Sequence, residues 1–298
     1  MYGAIIGDIV GSKYEWGGIK RKDFPLISKG CRFTDDSCMT VANSRALLRC
    51  LRAELPYKPV LVEEMQRIGR LYWDRGFGGK FYRWLFSDDP KPYNSYGNGS
   101  AMRVSPCGLI AVTLEEAISL ARASAEVTHN HPEGIKGAEA TAAAVFLAKN
   151  RHTKEEIAGY IRDRYYPLSK TLDQLRPSYS FDVTCQGSVP EAITAFLESD
   201  DYEDAIRNAV SLGGDSDTQA AICGGIGWSF YRFHSPESEE TNLKAGRIWP
   251  AFCESIANRI DSLLPDDFRS TIEEYDIVCA ERAKEFADTG RCRQIILE

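Results

Sequence analysis

The stretch DSCMTVANSRALLRCLRAE, residues 36–54, decides the fold class. Its apolar residues recur close to every 3.6 positions, which is the period of one face of an α-helix. These residues are Met39, Val41, Ala42, Ala46, Leu47, Leu48 and Leu51. Alternating β-type runs bounded by turn dipeptides are scarce in the rest of the chain. The sequence therefore predicts an all-α protein.

Helical periodicity continues through most of the remaining chain. Further helices are predicted over Leu114–Ala125, Pro132–Lys149, Lys154–Tyr165, Pro190–Glu198, Tyr202–Leu212, Thr218–Phe233, Gly246–Leu264 and Asp266–Ala287. No Pro/Ser-rich linker, charge block or repeat divides the chain, and SDDPKPYNSY (87–96) is interpreted as a loop within the fold. We expect a single domain over residues 1–298.

A glycine stripe marks the first predicted helix. Gly3, Gly7 and Gly11 recur every four residues and leave one helix face without side chains. Each interior glycine costs about 1 kcal/mol relative to alanine. We therefore expect a second backbone to pack closely against this stripe, as the Ala-rich run of residues 137–148 also permits elsewhere.

Composition narrows the class of protein. A net charge of −7 argues against a general nucleic-acid binder, because no broad basic face exists to neutralise phosphates. The N-terminal residues MYGAIIGDIVGSKYEW do not resemble a signal peptide, and no apolar run reaches the roughly 18 residues that span a membrane. The nine cysteines include no C-x-x-C pair, which favours reduced structural thiols. We expect a soluble, cytoplasmic monomer that does not bind membranes.

Two acidic segments each precede a predicted helix. The Asp35 cluster is Thr34–Asp35–Asp36–Ser37, and the Asp215 cluster is Gly213–Gly214–Asp215–Ser216–Asp217–Thr218. Helix capping alone explains either one, because Thr and Asp are good N-caps and acids suit the first helical turn. If the two clusters face one another, however, like charges at about 4 Å repel by around 4 kcal/mol per pair. Such a site needs protons or cations, and all-oxygen ligands favour Mg²⁺ or Mn²⁺ over Zn²⁺.

Five segments in the same order give the chain a specific resemblance. They are GAIIGDIVGSKYE (3–15), FTDDS (33–37), YGNGSAMRVSP (96–106), THNHPEG (128–134) and SLGGDSDT (211–218). In these segments the chain resembles the ADP-ribosylglycohydrolase family, which includes the dinitrogenase-reductase-activating glycohydrolases. The part after Tyr231 shows only a generic likeness.

The resemblance implies a fold, a metal centre and a catalytic acid. The expected fold is a single-domain, mostly orthogonal helical bundle with a binuclear centre of two Mg²⁺ or Mn²⁺ ions at one end. The implied ligands are Thr34, Asp35, Asp36, Asp215, Asp217 and Thr218. Ser37 stands just beyond them, where the family more often has threonine. Glu15 matches a catalytically important glutamate, and Asp8 is assigned a structural or supporting role.

The resemblance also implies a substrate cleft. Gly97, Asn98, Gly99 and Ser100 match the segment that holds the ADP-ribose phosphates, and His129 matches a ligand-contacting residue. The His129-x-His131 pair also invites a zinc interpretation, but no third soft ligand lies nearby; His131 is expected to hydrogen-bond at a helix start. Arg103 is expected either to add positive charge or to form a buried ion pair. Tyr93, Tyr96, Trp16 and Phe33 either stack on a base or pack in the core.

The implied reaction is hydrolysis at the anomeric carbon of an ADP-ribosyl unit, with ADP-ribosylated protein as substrate and ADP-ribose as product. Either Asp36 or Glu15 acts as the catalytic acid or base. An arginine N-glycoside is the first choice of linkage, while serine and nucleobase linkages stay open. Two other classes also stay open: an inactive ADP-ribose-binding module and a scaffold protein that recruited the fold.

Overall fold

The computed structural model describes residues 1–234, 256 and 258–298, and this part of the chain is helical with no sheet. The helices are α1 Tyr2–Gly11, α2 Asp35–Ala53, α3 Tyr57–Leu71, α4 Gly79–Leu85, α5 Ser105–Ile110, α6 Leu114–Glu126, α7 Pro132–Lys149, α8 Lys154–Arg164, α9 Leu172–Leu175, α10 Cys185–Leu197, α11 Tyr202–Val210, α12 Ser216–His234 and α13 Asp266–Thr289. A 3₁₀ turn spans Asn98–Ser100. The all-α prediction is confirmed.

Most predicted helices agree with the observed bounds to within a few residues, but one start was wrong. Helix α10 begins at Cys185 rather than Pro190, because the Thr184 side chain caps it by accepting a hydrogen bond from the Gly187 amide at 3.1 Å. Pro190 lies inside the helix, although proline usually favours a first turn. The predicted helix over 246–264 lies largely outside the described residues.

Helix α1 is the centre of the molecule, and all ten of its residues are buried. Its glycine stripe lies against α12: a Cβ atom at Gly7 would overlap the carbonyl of Ala220, and one at Gly11 would overlap that of Ser216. The prediction of a close backbone approach is therefore confirmed. This packing fixes the last turn of α1 beside the first turn of α12.

Other helices surround this central pair. Helices α2, α7, α10 and α11 pack around α1 and α12, and α6 packs on α7. The cysteines in the described residues are free thiols, as predicted. None of the described helices is long and apolar enough to cross a membrane.

Candidate active site

Asp8 on α1 positions the start of α2. One of its carboxylate oxygens accepts hydrogen bonds from the amides of Thr34, at 2.9 Å, and Ser37, at 3.1 Å, and also from the Ser37 hydroxyl. The other oxygen accepts from the Thr34 hydroxyl at 2.6 Å. A helix start carries unpaired N–H groups, and here a carboxylate from another helix satisfies two of them. Asp8 thus fixes the position of the Asp35 cluster relative to α1. The serine at position 37 retains the hydroxyl group that donates to Asp8.

The Asp215 cluster meets the Asp35 cluster at this point. Gly213 has φ +65°, a left-handed conformation that lets the chain turn sharply from α11 into α12. The Thr218 hydroxyl then lies 3.3 Å from Oδ2 of Asp36, although the two residues are 182 positions apart in sequence. The two helix starts predicted from sequence therefore face one another across a small volume.

Carboxylate oxygens form two groups that share one residue. Asp8, Asp36 and Asp217 have oxygens within 4.8 Å of one another, and so do Glu15, Asp215 and Asp217. Asp8 already accepts four hydrogen bonds, whereas Oδ1 of Asp36 is buried with no hydrogen-bond partner. An unpartnered buried carboxylate oxygen is costly, so its place suits a cation. Asp35 is outside both groups, and its amide donates to the Arg75 carbonyl at 2.9 Å.

Burial raises the pKa of every carboxyl in this volume, and repulsion between neighbours adds to the shift of each one except Asp8. Loss of hydration is the largest cause for Asp36 and Asp217, whose pKa values lie well above their ordinary range, and the neighbouring aspartates add to it. Burial also raises the pKa of Asp215 to about 6, against the hydrogen bond that it accepts from Asn98. These shifts indicate that the cluster takes up either protons or cations. Aspartate and threonine oxygens fit Mg²⁺ or Mn²⁺, with the two groups sharing Asp217.

Glu15 lies at the edge of the cluster in the loop that follows α1. Its side chain is partly buried, and burial followed by repulsion from Asp217 raises its pKa to about 7. A carboxyl that titrates near neutrality can either give or take a proton. The structure thus brings Glu15 together with Asp215 and Asp217.

The glycine-rich turn is joined directly to the acidic cluster. The Asn98 side-chain amide donates to Oδ2 of Asp215 at 2.7 Å, and its backbone amide donates to the Val183 carbonyl at 2.8 Å. The Ser100 hydroxyl donates to the Gly134 carbonyl at 2.7 Å. Gly99 lies against His129, since a Cβ atom there would be 3.3 Å from Nε2 of the imidazole. The turn therefore runs from the acidic cluster to His129.

Arg103 fixes the glycine-rich turn through hydrogen bonds to its backbone and to neighbouring residues. Its buried guanidinium donates to the carbonyls of Gly99, at 3.0 Å, and Ser124, at 2.6 Å, and to the Thr128 hydroxyl at 2.9 Å. Burial lowers the pKa of Arg103 to about 10. Its described hydrogen-bond partners are carbonyl and hydroxyl oxygens rather than a carboxylate, so the ion pair, one of the two roles that the sequence left open, is wrong. Arg103 thus shapes the cleft by fixing the backbone of the turn.

The two histidines have different positions. His129 is buried, its Nδ1 lies 2.7 Å from the Thr128 hydroxyl, and burial lowers its pKa well below the ordinary value. A neutral imidazole at this place favours a hydrogen-bonding role over a charged one. His131 accepts from the Glu133 amide at 3.1 Å and caps α7, as expected from sequence.

The aromatic residues named from the sequence include both packed and exposed side chains. Phe33 is core, where it packs on Tyr72 and Phe268, and Tyr93 packs against His129. Trp16 is exposed and stacks on Phe181. Sequence reasoning did not single out Phe181, because no motif surrounds it and 165 residues separate it from Trp16.

Residues 1–227 match the sequence profile of the family described as ADP-ribosylglycohydrolase. The chain belongs to the ADP-ribosylglycohydrolase family. The sequence-based identification of the family and of an enzyme of this class is thus confirmed.

The chain is also similar to individual proteins of known name and to a solved structure. It is 27% identical to the ADP-ribosylhydrolase ARH3 of Homo sapiens, in an alignment that covers 86% of this chain and 93% of the relative. It is 29% identical to the ADP-ribosylarginine hydrolase Tri1 of Pseudomonas putida, over 50% of this chain and 41% of that protein. The solved structure of an ADP-ribosylglycohydrolase-related protein complex has the same fold, with a TM-score of 0.66, 21% identity and 95% of each chain covered.

Proposed function

We propose that this protein is a metal-dependent hydrolase that releases ADP-ribose from ADP-ribosylated arginine on proteins. The observation that carries the proposal is the meeting of two carboxylate groups that share Asp217, with Oδ1 of Asp36 buried and unpartnered. Such a cluster fits two hard divalent cations. The ligands are proposed to be Thr34, Asp35, Asp36, Asp215, Asp217 and Thr218.

Each group then has a separate task. The ligand side chains would hold two Mg²⁺ or Mn²⁺ ions, which would offset most of the negative charge of the carboxylates and supply Lewis-acid chemistry for the attacking water. Asn98 orients the carboxylate of Asp215, and Asp8 orients the hydroxyl of Thr34. Gly97, Gly99 and His129 line the path for the ADP-ribose phosphates and distal ribose, while the hydroxyl of Ser100 stabilises the turn. Such positioning contributes to rate by holding the anomeric carbon at the reacting water.

Glu15 is the proposed acid–base residue, with Asp36 as the second candidate. In hydrolysis, the water oxygen bonds to the anomeric carbon as the glycosidic C–N bond breaks. Glu15 takes one proton from that water and one proton passes from Glu15 to the leaving guanidine nitrogen, so the carboxyl ends in the protonation state in which it began. The pKa of Glu15, raised to about 7, suits this exchange. Asp36 is wholly enclosed by the cluster, so a ligand role fits it better.

Arginine is favoured over serine and nucleobase linkages by two observations. A relative aligned over half of this chain is an ADP-ribosylarginine hydrolase, and the site is strongly acidic, which suits a cationic acceptor. The experiment is incubation with peptides that carry ADP-ribose on arginine or on serine, in Mg²⁺, Mn²⁺ or EDTA, with released ADP-ribose measured by chromatography. We expect metal-dependent release from arginine, and none from the Asp217→Asn variant.

An inactive ADP-ribose-binding module is the alternative. It predicts that calorimetry detects ADP-ribose binding while no linkage is cleaved in any metal. Release from serine but not from arginine would retain the hydrolase and overturn the linkage. Full activity in excess EDTA would overturn the metal centre.

A further inference from the structure

Two aromatic side chains stack on each other in solvent beside Glu15. Trp16, the next residue in the chain, is 80% exposed, and Phe181 is 44% exposed. Their ring centroids are 5.3 Å apart, with the planes inclined by 20°. Large aromatic side chains usually dominate buried cores, so an exposed stack next to reacting groups points to a ligand.

The stack is held at the rim of the site from both sides. Lys20, in the same loop as Trp16, donates to the Tyr179 carbonyl at 2.5 Å and also to the Leu212 carbonyl. On the other side, Val183 lies two residues after Phe181, and its carbonyl accepts a hydrogen bond from the Asn98 amide. The pair therefore bridges the Glu15 loop and the segment of residues 179–184 that lies against Asn98 and Gly214.

We propose that the Trp16–Phe181 stack binds the guanidinium of the ADP-ribosylated arginine and sets the preference for that acceptor. This inference rests on the proposed function. The acceptor belongs to another protein and enters from solvent, so its contacts lie at an exposed rim close to the proton-transferring group. The stack meets both conditions, whereas Asn98, Ser100 and His129 are buried deeper in the site.

The chemistry of the stack matches a planar cation. Guanidinium is planar and weakly hydrated, and it stacks on aromatic faces, especially on tryptophan. Acidic groups lie beside the stack: Glu15 precedes Trp16 in the chain, and its carboxylate lies within 4.8 Å of those of Asp215 and Asp217. A serine acceptor offers neither a plane nor a charge.

The test compares Trp16→Ala and Phe181→Ala with the wild type in full-length, Mg²⁺-loaded protein. Phe86→Ala is the matched control, because Phe86, just after α4, is 48% exposed and its ring centroid lies 5.0 Å from that of Tyr82. Three quantities are measured: kcat/KM for an arginine-linked peptide, Ki of the serine-linked peptide as a competitor, and Kd of ADP-ribose. We expect kcat/KM to fall about 3- to 30-fold in both stack variants, as cation–π contacts allow. Ki and Kd should stay within about twofold. Trp16→Phe restores the aromatic face but not the side-chain hydrogen bond between Trp16 and Glu15, so its kcat/KM should lie between those of Trp16→Ala and the wild type.

Four outcomes would overturn this inference. A Kd for ADP-ribose that weakens as much as kcat/KM falls would place the stack in the ADP-ribose cleft. A fall confined to kcat, with KM unchanged, would mean that the stack only holds the Glu15 loop. An equal weakening of Ki for the serine-linked peptide would mean that the stack does not distinguish between the two acceptors. Unchanged kcat/KM would mean that it contacts no acceptor. If the wild type leaves the arginine-linked peptide intact, the proposed linkage itself fails, which is a distinct result.

Discussion

Two buried aspartates in the site show how contacts assign a role to a residue. Asp8 and Asp36 are both nearly inaccessible, and burial raises the pKa of each. Asp8 gains four hydrogen bonds from Thr34 and Ser37, so its cost of burial is offset within the protein. Asp36 retains an oxygen with no partner. Asp8 thus supports the start of α2, whereas Asp36 keeps one carboxylate oxygen available to a cation.

Glu15→Gln tests the catalytic role at the scale of one residue. The change keeps the shape of the side chain and removes its ionisable proton, so kcat should fall by about 10²–10⁴ if Glu15 transfers that proton. The Kd of ADP-ribose should change far less, because this product has no leaving group to protonate. Single-turnover assays and calorimetry measure the two quantities. Glu155→Gln, an exposed glutamate in α8, is the control. Undiminished turnover in Glu15→Gln would transfer the role to Asp36.

At the scale of helices, the contact between α1 and α12 builds the site. The glycine stripe lets the two backbones approach, and this places Asp8 at the end of α1 beside Ser216 and Asp217 at the start of α12. A wider spacing would separate the carboxylate groups that share Asp217. The glycines bear no functional group, but they allow the short distance between α1 and α12 that brings the carboxylates together.

Gly7→Ala should therefore destabilise the fold. The added methyl group would collide with backbone atoms of Ala220 and Ala221, which cannot rotate away, and overpacking typically costs about 1–3 kcal/mol or more. Gly159→Ala in α8 is the matched control: a Cβ atom there meets nothing within 4 Å. That change should stabilise by roughly 0.5–1 kcal/mol through helix propensity. Urea unfolding measures both, and equal stability of the two variants would contradict the packing argument.

The same scale explains what could be predicted from sequence. Periodicity indicated most long helices, and clustered Thr and Asp residues marked the starts of α2 and α12, because these signals are local. The short α4 and α5 have too few turns to show a clear period. The 3.3 Å contact of Thr218 with Asp36 and the Trp16–Phe181 stack join residues far apart in the chain, so no local pattern encodes them. The family resemblance supplied the first of these contacts but not the second.

At the scale of the whole molecule, the acidic site lowers stability in the absence of metal. The folded-state pKa values of its carboxyls are raised, to about 6 for Asp215 and about 7 for Glu15. A group with a raised folded pKa contributes stability that is present below its unfolded pKa, near 4, and is lost as pH rises through the folded value. Between about pH 4 and pH 7, the site therefore becomes progressively less favourable to folding. The net charge of −7 adds general repulsion.

Thermal unfolding of wild type and Asp217→Asn, with EDTA or Mg²⁺, tests this account. In EDTA at pH 7.5, Asp217→Asn should have the higher Tm, because it removes the charge that both carboxylate groups share. The difference should shrink at pH 5, where more of the carboxyls are protonated. Saturating Mg²⁺ should reverse the order, since an ion at 100 times its Kd adds about 2.7 kcal/mol to the native state, and the variant lacks a ligand. Asp173→Asn, at an exposed ion pair with Arg176, should show neither effect. A wild type whose Tm is the same in EDTA and Mg²⁺ would mean that the cluster is neutralised by protons rather than by metal ions.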